Sequence, residues 1–306
     1  MAETLILHHY DASPFSEKIR KIFGMKRLAW RAVEQPSMMP KPDLIPLTGG
    51  YRRIPVLQIG ADVYCDTQLI VRVLECLHPT PTLYPGASEG TCQAWNLWAD
   101  RLVFLPAVAT VFAETWQLLP PGFIEDRTRM VPGRDFSAIP KEGPHAREQL
   151  RALLAVIEAA LADGRPYLLG ADASLADAAC FQQVWFLRFA PQSGSLVDEF
   201  RRVSAWRDRV DAIGHGDRVE MAPAAALAIA KESRPTAERA ADPHEPNGLR
   251  PGDAVSVVPD DYGFDPVAGE LVCSSANQIA VRRRDPALGE IVVHFPRIGF
   301  RVTRGA

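Results

Sequence analysis

The segment Tyr10-Asp11-Ala12-Ser13-Pro14-Phe15-Ser16-Glu17 carries the sharpest chemical signal in the chain. Serine caps helix N-termini well, and proline at the first helical position lacks an N–H that would have no partner there. A strand ending near Tyr10 would deliver Ser13 to the start of a helix. Free N–H groups and the positive end of the helix dipole favour an anion at that point. A thiol, with a reference pKa near ~8.5, ionises more readily in such a place. Two readings of Ser13 therefore stand. It caps the helix, or it donates its hydroxyl hydrogen to a bound thiolate, with Tyr10 as the alternative donor.

A second signal is Arg53-Ile54-Pro55-Val56-Leu57, followed by the pair Asp66-Thr67. A proline opening a strand marks an edge or a special geometry such as a cis bond. A cis bond here would turn the backbone N–H and C=O of Ile54 outward, toward a peptide ligand. Asp66 and Thr67 fall where a strand gives way to a helix. They serve there as ordinary caps, or they clasp an α-amino and carboxylate group together.

These residues sit in a recognisable order of elements. Leu5–Tyr10 reads as a buried strand, Phe15, Ile19, Ile22 and Phe23 as one face of a helix, and Trp30–Val33 as a strand. Ile54–Ile59 and Asp62–Cys65 form a hairpin about Gly60-Ala61, and Leu69, Ile70, Val73, Leu74 and Leu77 mark a further helix. A β-α-β, β-β-α order is what a thioredoxin-like fold requires. After the proline-rich break 78–85 the pattern is all-helical. One helix carries Trp95, Trp98, Leu102 and Val103, another Leu150, Leu153, Leu154, Ile157 and Leu161, and a third Phe200, Val203, Trp206 and Val210. Between the first two lies an irregular stretch of 27 residues, Gln117 to Gly143, with four prolines, expected to be a lid, a pocket wall or a floppy insertion. Residues 233–249 lose periodicity and read as a linker. Five short strand-like runs follow, the last with Ile298, Phe300 and Val302 in alternation, and suit a small barrel of SH3-like size. The domain reading is 1–80, 86–232, linker 233–249, and 250–306.

Together, Ser13-Pro14-Phe15-Ser16, Ile54-Pro55 and Asp66-Thr67, in this order behind this strand and helix pattern, resemble the glutathione transferase superfamily. The opening motif is similar to the serine-type and omega/tau-like classes. Ile54-Pro55 looks like the family's cis-proline element, and Asp66-Thr67 like its γ-glutamyl clamp. Ser174-Leu175-Ala176-Asp177 resembles its buried capping box, a folding element. The resemblance covers roughly residues 4–232 and says nothing about the tail. It implies a thioredoxin-like domain, an all-α helical domain and glutathione as co-substrate. Ser13 would face the sulfur, Ile54 and Pro55 the cysteinyl backbone, Asp66 and Thr67 the γ-glutamyl group, and Lys41 or Arg53 the glycyl carboxylate. The run Leu47-Thr48-Gly49-Gly50-Tyr51-Arg52-Arg53 departs from the family's commoner Asn-Pro-x-Gly-Lys, so the last assignment stays open between those two. The helical domain would supply the electrophile pocket, with Trp95, Trp98, Phe104, Phe112 and Trp116 as candidate lining, closed by Phe123, Arg127 and Phe136.

The implied chemistry is activation of the glutathione thiol for attack on a small electrophile, by a homodimer. The alternative is a non-catalytic scaffold that uses the tail for assembly. Serine at both 13 and 16 speaks against a glutaredoxin-like disulfide exchange, which needs a cysteine in the first helical turn. Composition narrows the remaining classes. With 47% hydrophobic and 23% charged residues the chain is an ordinary globular protein, and a net charge of −3 argues against nucleic acid as partner. The tail's 7 basic and 8 acidic side chains from residue 245 onward read as a solvated face despite Arg282-Arg283-Arg284. The five cysteines are scattered, without metal-ligand spacing, so no metal is expected. The start, Ala2-Glu3-Thr4, lacks a signal pattern, and no apolar run of membrane-spanning length stands out, so a cytoplasmic location without membrane partner is expected.

Overall fold

The computed structural model describes residues 4–305, so Ala2 and Glu3 of the expected non-signal start lie outside the described residues. The chain opens with β1 (Ile6–His9), α1 (Pro14–Met25), β2 (Ala29–Glu34), α2 (Ile45–Thr48), β3 (Val56–Ile59), β4 (Asp62–Cys65) and α3 (Thr67–Leu77). β1 runs parallel to β2 and antiparallel to β3, which pairs with β4, giving the thioredoxin-like sheet that the element order predicts. Pro14 at the first position of α1 and Ser13 at its N-cap start the helix as their types dictate.

The helical domain comprises α4 (Glu89–Trp98), α5 (Phe104–Thr115), α6 (Phe123–Met130), α7 (Ile139–Ala160), α8 (Leu175–Phe186), α9 (Pro191–Gly194) and α10 (Arg201–Asp211), whereas β5 (Asp217–Glu220) pairs with β2 and α11 (Pro223–Glu232) packs Ala226 against Ile6 and Val33 of the first sheet, so the expected helical stretch 86–232 ends in elements of the first domain. A π-helical turn, Ala99–Val103, joins α4 to α5. The resulting run, Glu89–Leu118, is apolar and long enough to cross a membrane by composition alone. Its buried Asp100 is nevertheless ion-paired with Lys18 at 2.6 Å, and Ala99, Val103, Ala107 and Val111 lie in the helical core. Gly143 permits the close crossing of α5 and α7, since a Cβ there would stand 2.6 Å from that of Ala113. The stretch 117–143, expected to be irregular, instead holds α6 and the start of α7. Its prolines sit at turns and at helix starts (Pro140), where they do not break a helix.

The tail forms β6 (Ala254–Pro259), β7 (Val267–Ser274), β8 (Gln278–Asp285), β9 (Gly289–Pro296) and β10 (Phe300–Arg304). β6 to β9 make an antiparallel meander, and β10 returns to pair with β6. Ile298 precedes this last strand and is 55% exposed, so the alternation expected from Ile298 begins only at Phe300. β9 also pairs in parallel with β4, so one ten-stranded sheet, β10-β6-β7-β8-β9-β4-β3-β1-β2-β5, runs through both regions. The expected linker is pinned along its length. The backbone N–H and the hydroxyl of Thr236 donate to Asp62, Ala240 bridges to Cys273, and Glu245 accepts from Arg297 at 2.7 Å.

Candidate functional site

Ser13 ends the turn after β1, with its N–H bonded to the Tyr10 carbonyl at 3.1 Å. It is 2% exposed, and its Oγ accepts from the Ser16 N–H at 3.1 Å. A hydroxyl has one hydrogen and two lone pairs. Capping therefore uses a lone pair and leaves the hydrogen free to donate, so the two readings of Ser13 are compatible. A cavity of about 840 Å³ opens beside it. Tyr10, Ser13, Phe15 and Ile54 line it from the first domain, Phe104 and Phe112 from α5, and Phe123, Arg127 and Phe136 from the α6–α7 region. The walls are mostly apolar, and Phe112 meets Phe123 edge to face at 5.4 Å. Such a chamber suits an apolar body held against a polar reacting end.

Cations gather at one end. Lys41 is 4% exposed, and its Nζ donates to the Arg52 carbonyl at 3.0 Å. Burial, with Arg127 and Arg52 nearby, lowers its pKa to about 7. Arg52 and Arg127 share a single carboxylate, Asp126. Arg53 is turned toward the tail: its guanidinium bonds Asp261 and the Tyr262 carbonyl and lies 3.7 Å from the centre of the Tyr262 ring.

Pro55, Asp66 and Thr67 line a separate and much smaller cavity of about 40 Å³, which Ile54, Arg53, Phe15 and Tyr262 also border. The Ile54–Pro55 peptide is cis. Asp66 caps α3 by accepting from the Gln68 N–H at 2.9 Å, and its φ of 70° lies in a region that costs a non-glycine residue of order 1–3 kcal/mol. Strain of this kind collects at functional sites.

Trp95, Trp98 and Trp116 line neither cavity. Trp95 and Trp98 pack edge to face at 5.2 Å against the helical core. For Trp95 and Trp98 the physical reason is the π-helical turn, whose wider winding breaks the 3.6-residue period between them and α5 and leaves Leu102 58% exposed, while Trp116 lies past the end of α5, where a 3-10 turn replaces the α-helix. Asp177, by contrast, does what its motif suggests. It accepts from Ser174 N–H (2.9 Å), Leu168 N–H (2.8 Å) and Trp206 Nε1 (2.8 Å) inside the core.

Sequence reasoning missed Arg52, Asp126, Phe186 and Tyr262 among the residues at or beside the cavities. Arg52 stands next to the candidate Arg53, whereas Asp126, Phe186 and Tyr262 have no local motif, because each reaches the site through long-range packing. Among the described residues, His9, Asp11 and Glu34 bring metal-ligand atoms within 4.8 Å of one another. Arg20 already contacts His9 Nδ1 at 3.1 Å, and Arg218 bonds Asp11 at 2.8 Å, so guanidinium groups occupy the place of a cation. Burial and these arginines push the His9 pKa down to about 3.

Two family models match the chain: glutathione S-transferase, N-terminal domain, over residues 7–82, and glutathione S-transferase, C-terminal domain, over 109–209. No curated protein matches. Among solved structures, a GST-like protein from Pseudomonas syringae is 38% identical, with full coverage of both chains and a TM-score of 0.83. A rice GST1 in complex with glutathione is 21% identical over 74% of this chain and 93% of its own, with a TM-score of 0.53. A tau class glutathione S-transferase from mango is 17% identical over 68% and 89%, also at 0.53. The last two share the fold and leave part of this chain unmatched. The Pseudomonas protein matches the tail as well.

Proposed function

The chain belongs to the glutathione S-transferase superfamily, and from that premise we propose that it binds glutathione and activates its thiol for attack on a small electrophile. The observation that supports this reading is the Ser13 hydroxyl, which caps α1 by accepting from the Ser16 N–H, keeps its own hydrogen available for a bound anion, and lines the large cavity. There the hydroxyl hydrogen and the helix dipole stabilise the sulfur as thiolate. Ile54 holds the cysteinyl backbone, and Asp66 and Thr67 take the γ-glutamyl end. Lys41 receives the glycyl carboxylate. It has one backbone acceptor and spare N–H groups, whereas Arg53 is engaged by Asp261 and Tyr262. The electrophile lies against Phe104 and Phe112 with its reacting carbon toward the sulfur. The enzyme lowers the thiol pKa and positions the partners, and the sulfur forms its bond to the substrate directly. A homodimer and a cytoplasmic, detoxifying role belong to the same proposal.

Ser13→Ala tests it. Turnover of an aryl halide with glutathione should fall in kcat/KM by roughly 10²–10³, the usual cost of deleting a donor to a developing anion. Retention on glutathione resin without turnover, unchanged in Ser13→Ala, would instead mark a non-catalytic scaffold.

A further inference from the structure

The chamber beside Ser13 is unevenly charged. Its lining carries the cations Lys41, Arg52, Arg53, Arg127 and Arg134 and the carboxylates Asp11 and Glu34. Those carboxylates belong to another group of charges. Arg218 bonds Asp11 at 2.8 Å, Arg20 lies 3.9 Å from it, and Glu34 sits in the field of the same residues. Of the cations, Arg53 is paired with Asp261. Lys41, Arg52 and Arg127 have Asp126 as their one carboxylate among the described residues, so three positive charges face one negative. The glycyl carboxylate of glutathione, placed at Lys41, leaves one positive charge unmatched.

Arg134 adds a second, and it is the cation with least to hold it. It lies in the turn between α6 and α7, its guanidinium 5.4 Å from the centre of the Phe136 ring. Its carboxylate neighbour is Glu142, 3.9 Å away, with the two side chains 33% and 50% exposed. A solvated pair of that length contributes little. Among the described residues no acceptor lies within hydrogen-bond distance of the Arg134 side chain. Asp135 beside it is engaged by the N–H and hydroxyl of Ser137. The apolar wall reaches up to this cation, since Phe123, Phe136 and Ile139 line the same chamber. A guanidinium at the rim of an apolar chamber suits an amphiphilic acid. Its parallel N–H donors match a carboxylate, and the rings take the apolar body.

We propose that the electrophile is an organic acid, with an aromatic or alkyl body and a carboxylate that Arg134 receives. Arg134 is then the specificity-determining residue for the electrophile. The reacting carbon lies toward Ser13 at the start of α1, and the acid end toward the α6–α7 turn. This deepens the transferase reading and rests on the placement of the sulfur at Ser13.

Turnover of a chlorodinitrobenzoate and of its methyl ester by the full chain with glutathione tests it. In both, the sulfur forms a C–S bond as the C–Cl bond breaks, chloride leaves, and the thiol proton passes to solvent. Each kcat/KM is divided by the uncatalysed rate of the same compound, because acid and ester activate the ring differently. Wild type prefers the acid by roughly tenfold or more, chiefly through KM. Arg134→Gln removes most of that preference. Arg134→Lys keeps part of it, since an ammonium retains the charge without the parallel donors. Added salt lowers the preference of wild type and leaves that of Arg134→Gln where it was. Wild type turning over both compounds with no preference for the acid, or a preference unchanged in Arg134→Gln, overturns the assignment and leaves the Ser13 reading intact. No turnover of either compound by wild type removes the Ser13 reading, and this inference with it.

Discussion

The thioredoxin-like domain meets its two neighbours in different ways. Against the helical domain it buries charge. α1 carries Lys18 and Lys21 into that seam, both about 1% exposed or less. Lys18 Nζ contacts Asp100 at 2.6 Å and Asn96 at 2.9 Å, while Lys21 Nζ donates to the Asp211 carbonyl at 2.8 Å. Against the tail it shares a core and a sheet. Tyr51, Val56, Val63 and Cys65 form one apolar cluster with Val257, Phe295 and Phe300, and the β4–β9 ladder closes the backbone bonds. The first seam adds this charge to an apolar contact of Ile19, Ile22 and Phe23 with Cys92, Leu175 and Ala178, while most of the helical core lies apart from it. The second makes the tail part of the domain that holds the cis-proline and Asp66, which is why a tail residue, Tyr262, can line the cavities beside Ser13 and Asp66.

Removing the tail should break this comparison most violently. Residues 1–232 alone would expose the β4 edge and leave at least four core side chains uncovered, at roughly 1.5–3 kcal/mol for each large one. That fragment should be insoluble or lack a cooperative thermal transition in circular dichroism. A well-folded fragment would show the tail to be detachable and the two seams alike.

Asp100→Ala probes the ionic seam. It leaves Lys18 buried with Asn96 as its remaining side-chain acceptor, which should cost about 3–5 kcal/mol in urea unfolding. A loss under about 1 kcal/mol would mean that water reaches Lys18 and that the seam is softer than its burial implies.

The smallest effect belongs to Asp62, a buried acid at the tail seam. His294 Nε2 and Thr236 donate to Asp62 at 2.7–2.8 Å, and Gln278 donates to His294 Nδ1. Burial acts to raise the Asp62 carboxyl, yet these hydrogen bonds hold it below its usual value. Stability from a depressed acid is fully present above the unfolded-state pKa, about 4, and is lost as pH falls through the folded-state value. Asp62→Asn should therefore cost about 1.5–3 kcal/mol at neutral pH and flatten the acid limb of the stability profile below roughly pH 4. An acid limb that persists in this variant would place the sensitive carboxyl elsewhere.

The parts of the fold legible in the sequence are those set by neighbours along the chain. A serine before a proline starts α1, Gly60-Ala61 turns the β3–β4 hairpin, and Ser174 with Asp177 closes the start of α8, because capping and turn geometry act within a few residues. Periodicity fails where the backbone changes its winding, as at the π-helical turn that takes Trp95 and Trp98 away from the cavity. It also cannot announce that Lys18, Arg20 and Lys21 are buried, since a charged face looks solvated until a partner such as Asp100 or Glu17 is known.

The amino-acid sequence by itself determined the β-α-β, β-β-α order of the first domain, the capping serine, the proline element and the Asp66-Thr67 pair. Only the tertiary structure decided that the tail continues the first sheet, that 233–249 is fixed in place, and that Tyr262 stands between the two cavities. Local propensity acts through bonds a few residues apart. The β4–β9 ladder and the Arg53–Tyr262 contact join residues more than 200 positions apart, and only packing of the whole chain selects them.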